Sequence, residues 1–585
     1  MSSFRNTAAG ARCRALRSLS LRPRITLVLS ILLCSSLPAL GQNAGPEGPQ
    51  TEVIRGSVIN AVTQAPIPRA LVYSADNRFA TLTDGDGNFE LTLPKQGFEA
   101  VTASVYSGLQ ARALAFAGHQ IPVGLMARKP GFLDLPDQVV EPSADNDLTI
   151  SLLPEGIIKG RVTAAGSESA AGVMVQIFSR EVEEGLPRWL PSATVRANSA
   201  GEFRFAELLP GSYKIATQEW MDNDPVAALP GSQLYGYPPL YYPGVTELAA
   251  GSTIELDAGQ TVDADLTISR QPYFPVRIPV AKGEFSGGFS VSVQGQHGSR
   301  YELGYNHAEQ RIEGMLPSGN YVVQVTSYGP KSVSGSTNIR VADAPLLQAP
   351  SLTLTPNSSI PLNVKEEFND RGWSGSGTWG EGKNAFRIRG PRLYLQANVL
   401  SADDFSRGGG SLRPPTAPND DALVLDTVPP GRYWLRLSTS RGYVASATMG
   451  STDLLKQPLV IGSGASGPID ITLRDDGAEL EGTIGSLGEQ NASSSAGGIR
   501  AWVYCVPLPE SSGQFQQLGA GDDGKFNLQM MAPGDYRILA FSKPQLRLPY
   551  RDAEAMKAYE SKGQVVHLSA GQKTTVQVQV ISANE

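Results

Sequence analysis

Leu208-Leu209-Pro210-Gly211-Ser212-Tyr213 decides the fold, because the chain returns to it. Leu316-Pro317-Ser318-Gly319-Asn320-Tyr321, Val428-Pro429-Pro430-Gly431-Arg432-Tyr433 and Met531-Ala532-Pro533-Gly534-Asp535-Tyr536 are its later copies. Tyr213, Tyr321, Tyr433 and Tyr536 are spaced by 108, 112 and 103 residues. A degenerate copy, Leu93-Pro94-Lys95-Gln96-Gly97-Phe98, ends 115 residues before Tyr213. A period of about 110 residues is too long for a solenoid repeat and fits a whole β-sandwich domain.

The residue types explain the copies. Proline fixes φ and cannot donate to a ladder, so it closes a strand or opens a turn. Gly211, Gly319, Gly431 and Gly534 supply a residue free to take positive φ. After each tyrosine comes an alternating run, as in Tyr321-Val322-Val323-Gln324-Val325 and Tyr433-Trp434-Leu435-Arg436-Leu437, the pattern of a half-buried strand. A tyrosine entering a strand from a turn fits a tyrosine corner, ring in the core and hydroxyl on upstream backbone. The four tyrosines are therefore expected to be structural, not catalytic.

A second signature precedes the first. Asp84-Gly85-Asp86-Gly87-Asn88-Phe89, Asn198-Ser199-Ala200-Gly201-Glu202-Phe203 and Asp522-Asp523-Gly524-Lys525-Phe526 share Gly-x-Phe behind acidic or amide residues. Glycine there suits a hairpin turn, and the phenylalanine starts the next strand. With the openings Ile54-Arg55-Gly56-Ser57-Val58 and Ile158-Lys159-Gly160-Arg161-Val162, and the strand Gly172-Val173-Met174-Val175-Gln176-Ile177, the chain resembles the carboxypeptidase regulatory-like domains. The resemblance implies a transthyretin-like, or prealbumin-like, sandwich. It is strongest in the first, second and fifth domains and weaker in the third and fourth, which lack the clear opening and the Gly-x-Phe turn. It extends to exported multi-domain proteins of environmental bacteria. It implies no peptidase activity, because the zinc residues of such carboxypeptidases sit in a separate catalytic domain that is missing from this sequence.

The expected organisation is all-β: about five tandem transthyretin-like or immunoglobulin-like sandwiches behind a signal peptide. Residues 1–41 form the signal and 42–50 a flexible leader. The sandwiches span 51–153, 154–269, 270–355, 356–473 and 474–585. The fourth carries Gly-rich insertions near Gly372–Gly382 and Gly408–Gly410, and a single irregular unit in place of the third and fourth is the alternative. The fifth carries one helix, Asp552 to Lys562, capped by Asp552 and stopped by Gly563, with Met556 and Tyr559 packed on the sandwich. Short linkers favour a semi-rigid rod.

All six charges of residues 1–41 are arginines, at 5, 12, 14, 17, 22 and 24. The 13-residue apolar run Ile25–Leu37 that follows is short for a membrane span. Ala39-Leu40-Gly41 places small residues for cleavage before Gln42. An uncleaved anchor and a lipoprotein processed at Cys34 are the alternatives. Cleavage removes Cys13 and Cys34 and leaves Cys505 alone, so an intrachain disulfide is excluded. The whole chain has net charge −7, and the cleaved one, with 43 basic against 56 acidic residues, −13. Such a surface repels phosphate backbones, so nucleic acid is not an expected partner.

Chemistry-bearing patterns are few. The histidines, 119, 297, 307 and 567, neighbour no cysteine and form no metal-ligand pair, although His297 and His307 stand close enough to meet across a hairpin. There is no nucleophile elbow and no phosphate-binding loop. Asp84-Gly85-Asp86-Gly87-Asn88 departs from a calcium loop, with Phe89 at its sixth position and Lys95 at its twelfth, and reads first as a turn. Cys505 sits in a strand pattern as a small hydrophobe.

The candidate binding residues are aromatic. Leu234-Tyr235-Gly236-Tyr237-Pro238-Pro239-Leu240-Tyr241-Tyr242-Pro243-Gly244 crowds tyrosines among prolines and reads as a loop rather than a central strand. Trp220, Tyr235, Tyr237, Tyr241 and Tyr242 then offer rings to a sugar face or a polyproline-like peptide, if they are exposed and roughly coplanar. Packing of the loop on its own sandwich is the structural alternative. Trp373 and Trp379 form a weaker second candidate.

No cofactor, metal or catalytic residue is expected. The leading expectation is a non-enzymatic, exported structural scaffold or binding and adhesion module at the cell envelope: periplasmic, surface-bound or extracellular, without a membrane span once the signal is cleaved. A polysaccharide or another envelope protein is the expected partner. A carbohydrate-binding protein using Tyr235–Tyr242, and an accessory protein of a secreted peptidase or glycan-degrading system, are the rival readings.

Overall fold

The computed structural model describes residues 51–581, apart from 75–76, 95–123, 136–146, 165–169, 223–232, 282–287, 296–298, 328–331, 370–374, 380–385, 403–409, 418–419, 463–465, 486–500 and positions 522, 543 and 546. The signal and leader therefore lie outside the described residues, as do His119, His297, Trp373 and Lys95 to Phe98 of the degenerate copy. Among the described residues no helix is long and apolar enough to cross a membrane.

The fold is all-β and multi-domain, with six separate hydrophobic clusters among the described residues, the last two in the fifth unit. One connectivity recurs. Each unit's opening strand pairs antiparallel with the strand that leads to the Pro-Gly-x-Tyr turn: Thr51–Asn60 with Asn88–Pro94, and Gly156–Ala164 with Glu202–Leu208. The later pairs are Gln271–Pro279 with Arg311–Pro317, Ser358–Glu367 with Val424–Val428, and Ala478–Gly485 with Lys525–Met531. On its other side the opening strand runs parallel to the unit's last strand. In the third unit two parallel bridges, Val276 to Leu346 and Val280 to Leu352, take that place. Parallel pairing of first and last strands needs a long crossover, here the rest of the sandwich. Among the described residues the third and fourth units have separate hydrophobic clusters.

The four tyrosine corners form as the sequence requires. Tyr213, Tyr321, Tyr433 and Tyr536 are buried. Their hydroxyls donate to the carbonyl four residues back: Leu209 at 2.6 Å, Pro317 at 2.8 Å, Pro429 at 3.0 Å and Ala532 at 2.6 Å. Two demands fall on the glycine two positions before the tyrosine. Gly211, Gly431 and Gly534 have φ of 155°, 159° and 155°, in the region that favours glycine. A Cβ on Gly319 or Gly431 would lie 3.0 Å from the hydroxyl of its own tyrosine.

The Gly-x-Phe turns are left-handed, with φ of 78° at Gly87 and Gly201 and 69° at Gly524. The Asp84 carboxylate accepts from the Asp86 and Asn88 amides, and the Asn198 side chain from the Ala200 and Glu202 amides. These acceptors are occupied in holding the turn. Each phenylalanine then lies opposite the opening glycine: Phe89 on Gly56, Phe203 on Gly160, Phe526 on Gly482. The bare glycine leaves space for the ring at Gly482 and, with the Ala264 backbone, at Gly160, whereas at Gly56 it leaves space for Leu148 of the last strand.

Three expectations are corrected. The aromatic stretch is not a loop throughout. Leu234–Tyr237 is a strand between Trp220–Met221 and the third unit's opening strand, so an insertion of the second unit extends the third unit's sheet. It escapes the proline objection because Pro238, Pro239 and Pro243 all follow it. The helix is shorter than read: one α-turn, Ala553–Met556, then a 3-10 turn, Lys557–Tyr559. Asp552 caps it, Gly563 has φ 74°, and Met556 and Tyr559 pack on the sandwich. The Arg537 guanidinium donates to the carbonyls of Tyr559 and Glu560. Finally, the units do not form a rod of neighbours alone, because a hairpin of the second reaches the fourth and fifth.

Candidate functional site: the clasped interdomain cleft

That hairpin joins Met174–Glu183 to Leu186–Arg196. Its two-residue turn, Glu184-Gly185, has both φ positive, 51° and 76°, the geometry that matches strand twist. The tip docks by several kinds of contact. The Arg551 amide donates to the Gly185 carbonyl at 2.9 Å. A Cβ on Gly185 would meet the Tyr550 ring at 2.8 Å, and Tyr550 is itself stacked on Phe515, centroids 3.9 Å apart and 4° from parallel. Arg436 of the fourth unit pairs with Glu184 at 2.8 Å and Glu183 at 3.6 Å. Arg547 of the fifth grips Glu181, and Arg188 donates to the Ala402 carbonyl at 3.1 Å.

Under the tip lies a cavity of about 1690 Å³ between the fourth and fifth units. Its floor is the outer face of strands Leu395–Ser401 and Gly431–Thr439, paired with Asn398 opposite Arg436 and Gln396 opposite Ser438. Alternation explains the face. Leu395, Ala397, Val399, Tyr433 and Leu435 enter the core. Gln396, Asn398, Trp434, Arg436 and Ser438 point to the cleft. The far wall brings Phe515, Tyr550, Arg551 and Met556 from the fifth unit.

Basic side chains outnumber acidic ones in the lining, with Arg436 paired to Glu183 and Glu184 and Arg413 to Asp420. Arg392, Arg413, Arg436, Lys456, Arg537 and Arg551 line the cavity against Glu184, Asp453 and Glu560, in a chain of net charge −7. The Arg551 guanidinium lies 5.1 Å over the Trp434 ring and makes no ion pair among the described residues. The Arg392, Arg413 and Arg436 Nε atoms and the Trp434 indole nitrogen are buried without an acceptor. Burial depresses the pKa of the Arg392 guanidinium, and neighbouring Arg413 adds to the effect against Asp420. Among the described lining residues there is no histidine or cysteine.

The structure scatters the residues expected from sequence. Tyr237 is buried in the second unit's core, only 1% exposed, and Tyr241 is buried beside it against the Phe178 ring. Trp220 stacks on Tyr237 at 5.0 Å, Tyr242 packs against the same core, and Arg270 covers Tyr235 at 4.3 Å. An exposed coplanar platform is therefore not what these rings form: rings opposite one another in paired strands were drawn into the core that the prolines border. Trp379 ends the strand Ser376–Trp379, paired with Phe386–Arg389. His567 sits exposed on a sheet face with Nδ1 2.7 Å from Asp535 Oδ1. Cys505 is fully buried, and burial pushes its thiol up to about 12. Sequence reasoning missed the cleft. Its one signal was Trp434 and Arg436 at the outward positions of a tyrosine strand.

No family model and no curated protein matches the chain. Solved structures similar to it include the Bacillus anthracis TIE protein, at 8% identity over 91% of this chain and 68% of that one, TM-score 0.13. The streptococcal ancillary pilin is 13% identical over 52% of this chain and 99% of its own, TM-score 0.18. The minor pilin of Streptococcus agalactiae is 12% identical over 40% and 100%, TM-score 0.16. At these identities and scores the likenesses carry no argument about the cleft or its use.

Proposed function

We propose that the protein is an exported, non-enzymatic scaffold or adhesion module of the cell envelope, with the clasped cleft as its binding surface. The observation that carries this reading is the clasp. A hairpin of the second sandwich is held by the fourth and fifth, and this contact creates a large recess. The recess is walled by guanidinium, amide and aromatic groups, which suit recognition more than proton transfer. The pattern of residues 1–41 supports export, and the carboxypeptidase regulatory-like resemblance supports a spacer or binding role. Fractionation of cells making the full chain with a C-terminal tag tests it. The tagged protein is expected in the periplasmic, surface or extracellular fraction, shortened by the signal. Full-length protein confined to the cytosol would refute the reading.

A further inference from the structure

We propose that the cleft binds a carboxylate-bearing polysaccharide chain; this rests on the reading of the cleft as the protein's binding surface. Size is the first argument. A volume of about 1690 Å³ exceeds the roughly 300–1,000 Å³ of ordinary small-molecule pockets, so several linked rings fit. Charge is the second. The lining carries twice as many basic as acidic side chains inside an acidic chain. Guanidinium groups match carboxylates in planar, paired hydrogen bonds, and Arg551 makes no ion pair of its own among the described residues.

The floor supplies the third argument. Gln396, Asn398 and Ser438 are exposed and alternate with Trp434 and Arg436 across two paired strands. Amides and hydroxyls placed along a flat face answer the hydroxyls of successive sugar rings, and an aromatic ring offers an apolar face. Both floor strands lie inside their sheet, flanked by Ser411–Leu412 and Leu459–Ile461. Where those neighbours pair, at Asn398 and along Gly431–Tyr433, an incoming chain meets side chains before a strand edge, which favours a glycan over a peptide that adds as a strand.

Affinity electrophoresis of the full mature chain through gels containing sodium polygalacturonate, neutral dextran or poly-glutamate tests the proposal. Polygalacturonate is expected to retard the protein, dextran is not, and retardation is expected to fall with salt. Arg551→Ala is expected to weaken retardation at least tenfold. Asn398→Ala, an exposed floor change with little effect on folding, is expected to weaken it severalfold, and circular dichroism keeps binding loss separate from unfolding. No retardation by polygalacturonate overturns the proposal, as does equal retardation by dextran, retention of binding by both variants, or stronger retardation by poly-glutamate, which would make the cleft an acidic-peptide site. Envelope fractionation is unaffected by any of these outcomes, so the glycan proposal and the scaffold reading fail separately.

Discussion

Arg547 holds Glu181 with both ends of its guanidinium, Nε donating at 2.9 Å and Nη2 at 2.8 Å, across 366 residues of chain. Both side chains are about one-third exposed, so the pair alone contributes about 0.2–1 kcal/mol. Packing at the tip carries more. Gly185→Val places a β-branched residue at φ 76° against the Tyr550 ring, at a cost of about 2 kcal/mol or more. The Arg551 amide, bonded to Gly185, is then expected to exchange its hydrogen about 30-fold faster, and only slightly faster in Arg547→Ala. Unchanged protection in Gly185→Val would mean that the tip is not docked.

The tyrosine corners differ in what their hydroxyls do. Tyr536 donates to Ala532 and also accepts from the Gln514 amide at 3.0 Å, whereas Tyr433 makes the longest of the four backbone bonds. Tyr536→Phe leaves a carbonyl and an amide short of a partner and is expected to cost about 2 kcal/mol, Tyr433→Phe about 1 kcal/mol. The readout is the unfolding transition of the affected sandwich, because a chain of several domains has no single one. Equal effects would remove the Gln514 bond from the account.

These corners were legible because proline, glycine and tyrosine act over a few residues of chain. The Gly-x-Phe turns were legible for the same reason, and Gly56 and Gly160 were visible as domain openings. Their pairing with Phe89 and Phe203 was not, since it depends on register across a sheet. The cleft was still less accessible. Leu186, Trp434 and Tyr550 come together only through the clasp, and no local pattern encodes a contact between the second and fifth repeats. Tyr237 and Tyr241 misled because aromatic density is the same in a binding loop and in a core edge; burial separates the two.

The glycine–phenylalanine pairs predict a coupling. A Cβ on Gly482 would lie 2.1 Å from the Phe526 ring, so Gly482→Ala is expected to cost about 2–3 kcal/mol by overpacking. Gly482→Ala with Phe526→Leu should cost less than the sum of the two single changes, by about 1 kcal/mol, in a double-mutant cycle of denaturant unfolding. Strict additivity would contradict the contact.

Glu219 gives the junction of the second and third sandwiches a pH dependence. Its surroundings are Tyr273, Tyr301, Tyr321 and Glu302, and burial pushes its carboxyl from 4.5 up to about 7, opposed by the smaller pull of a Glu302 backbone hydrogen bond. The folded chain therefore holds this proton where the unfolded chain has lost it. The contribution is full below pH of about 4.5 and declines as pH rises to about 7, by at most about 3 kcal/mol. Glu219→Gln should flatten stability across that window and raise it at pH 8. A variant as pH-sensitive as the parent would place the titration elsewhere.

The clasp itself is tested most directly by cross-linking the full mature chain carrying Glu181→Cys and Arg547→Cys with a short bis-maleimide. Cys505, buried and with its thiol raised to about 12, stays unreactive. Rapid, high-yield closure within single chains is expected, and little closure when Val460→Cys, exposed on the fourth sandwich, replaces Arg547→Cys. Equal, slow reaction of both pairs would show that the hairpin of the second sandwich is not held by the fifth.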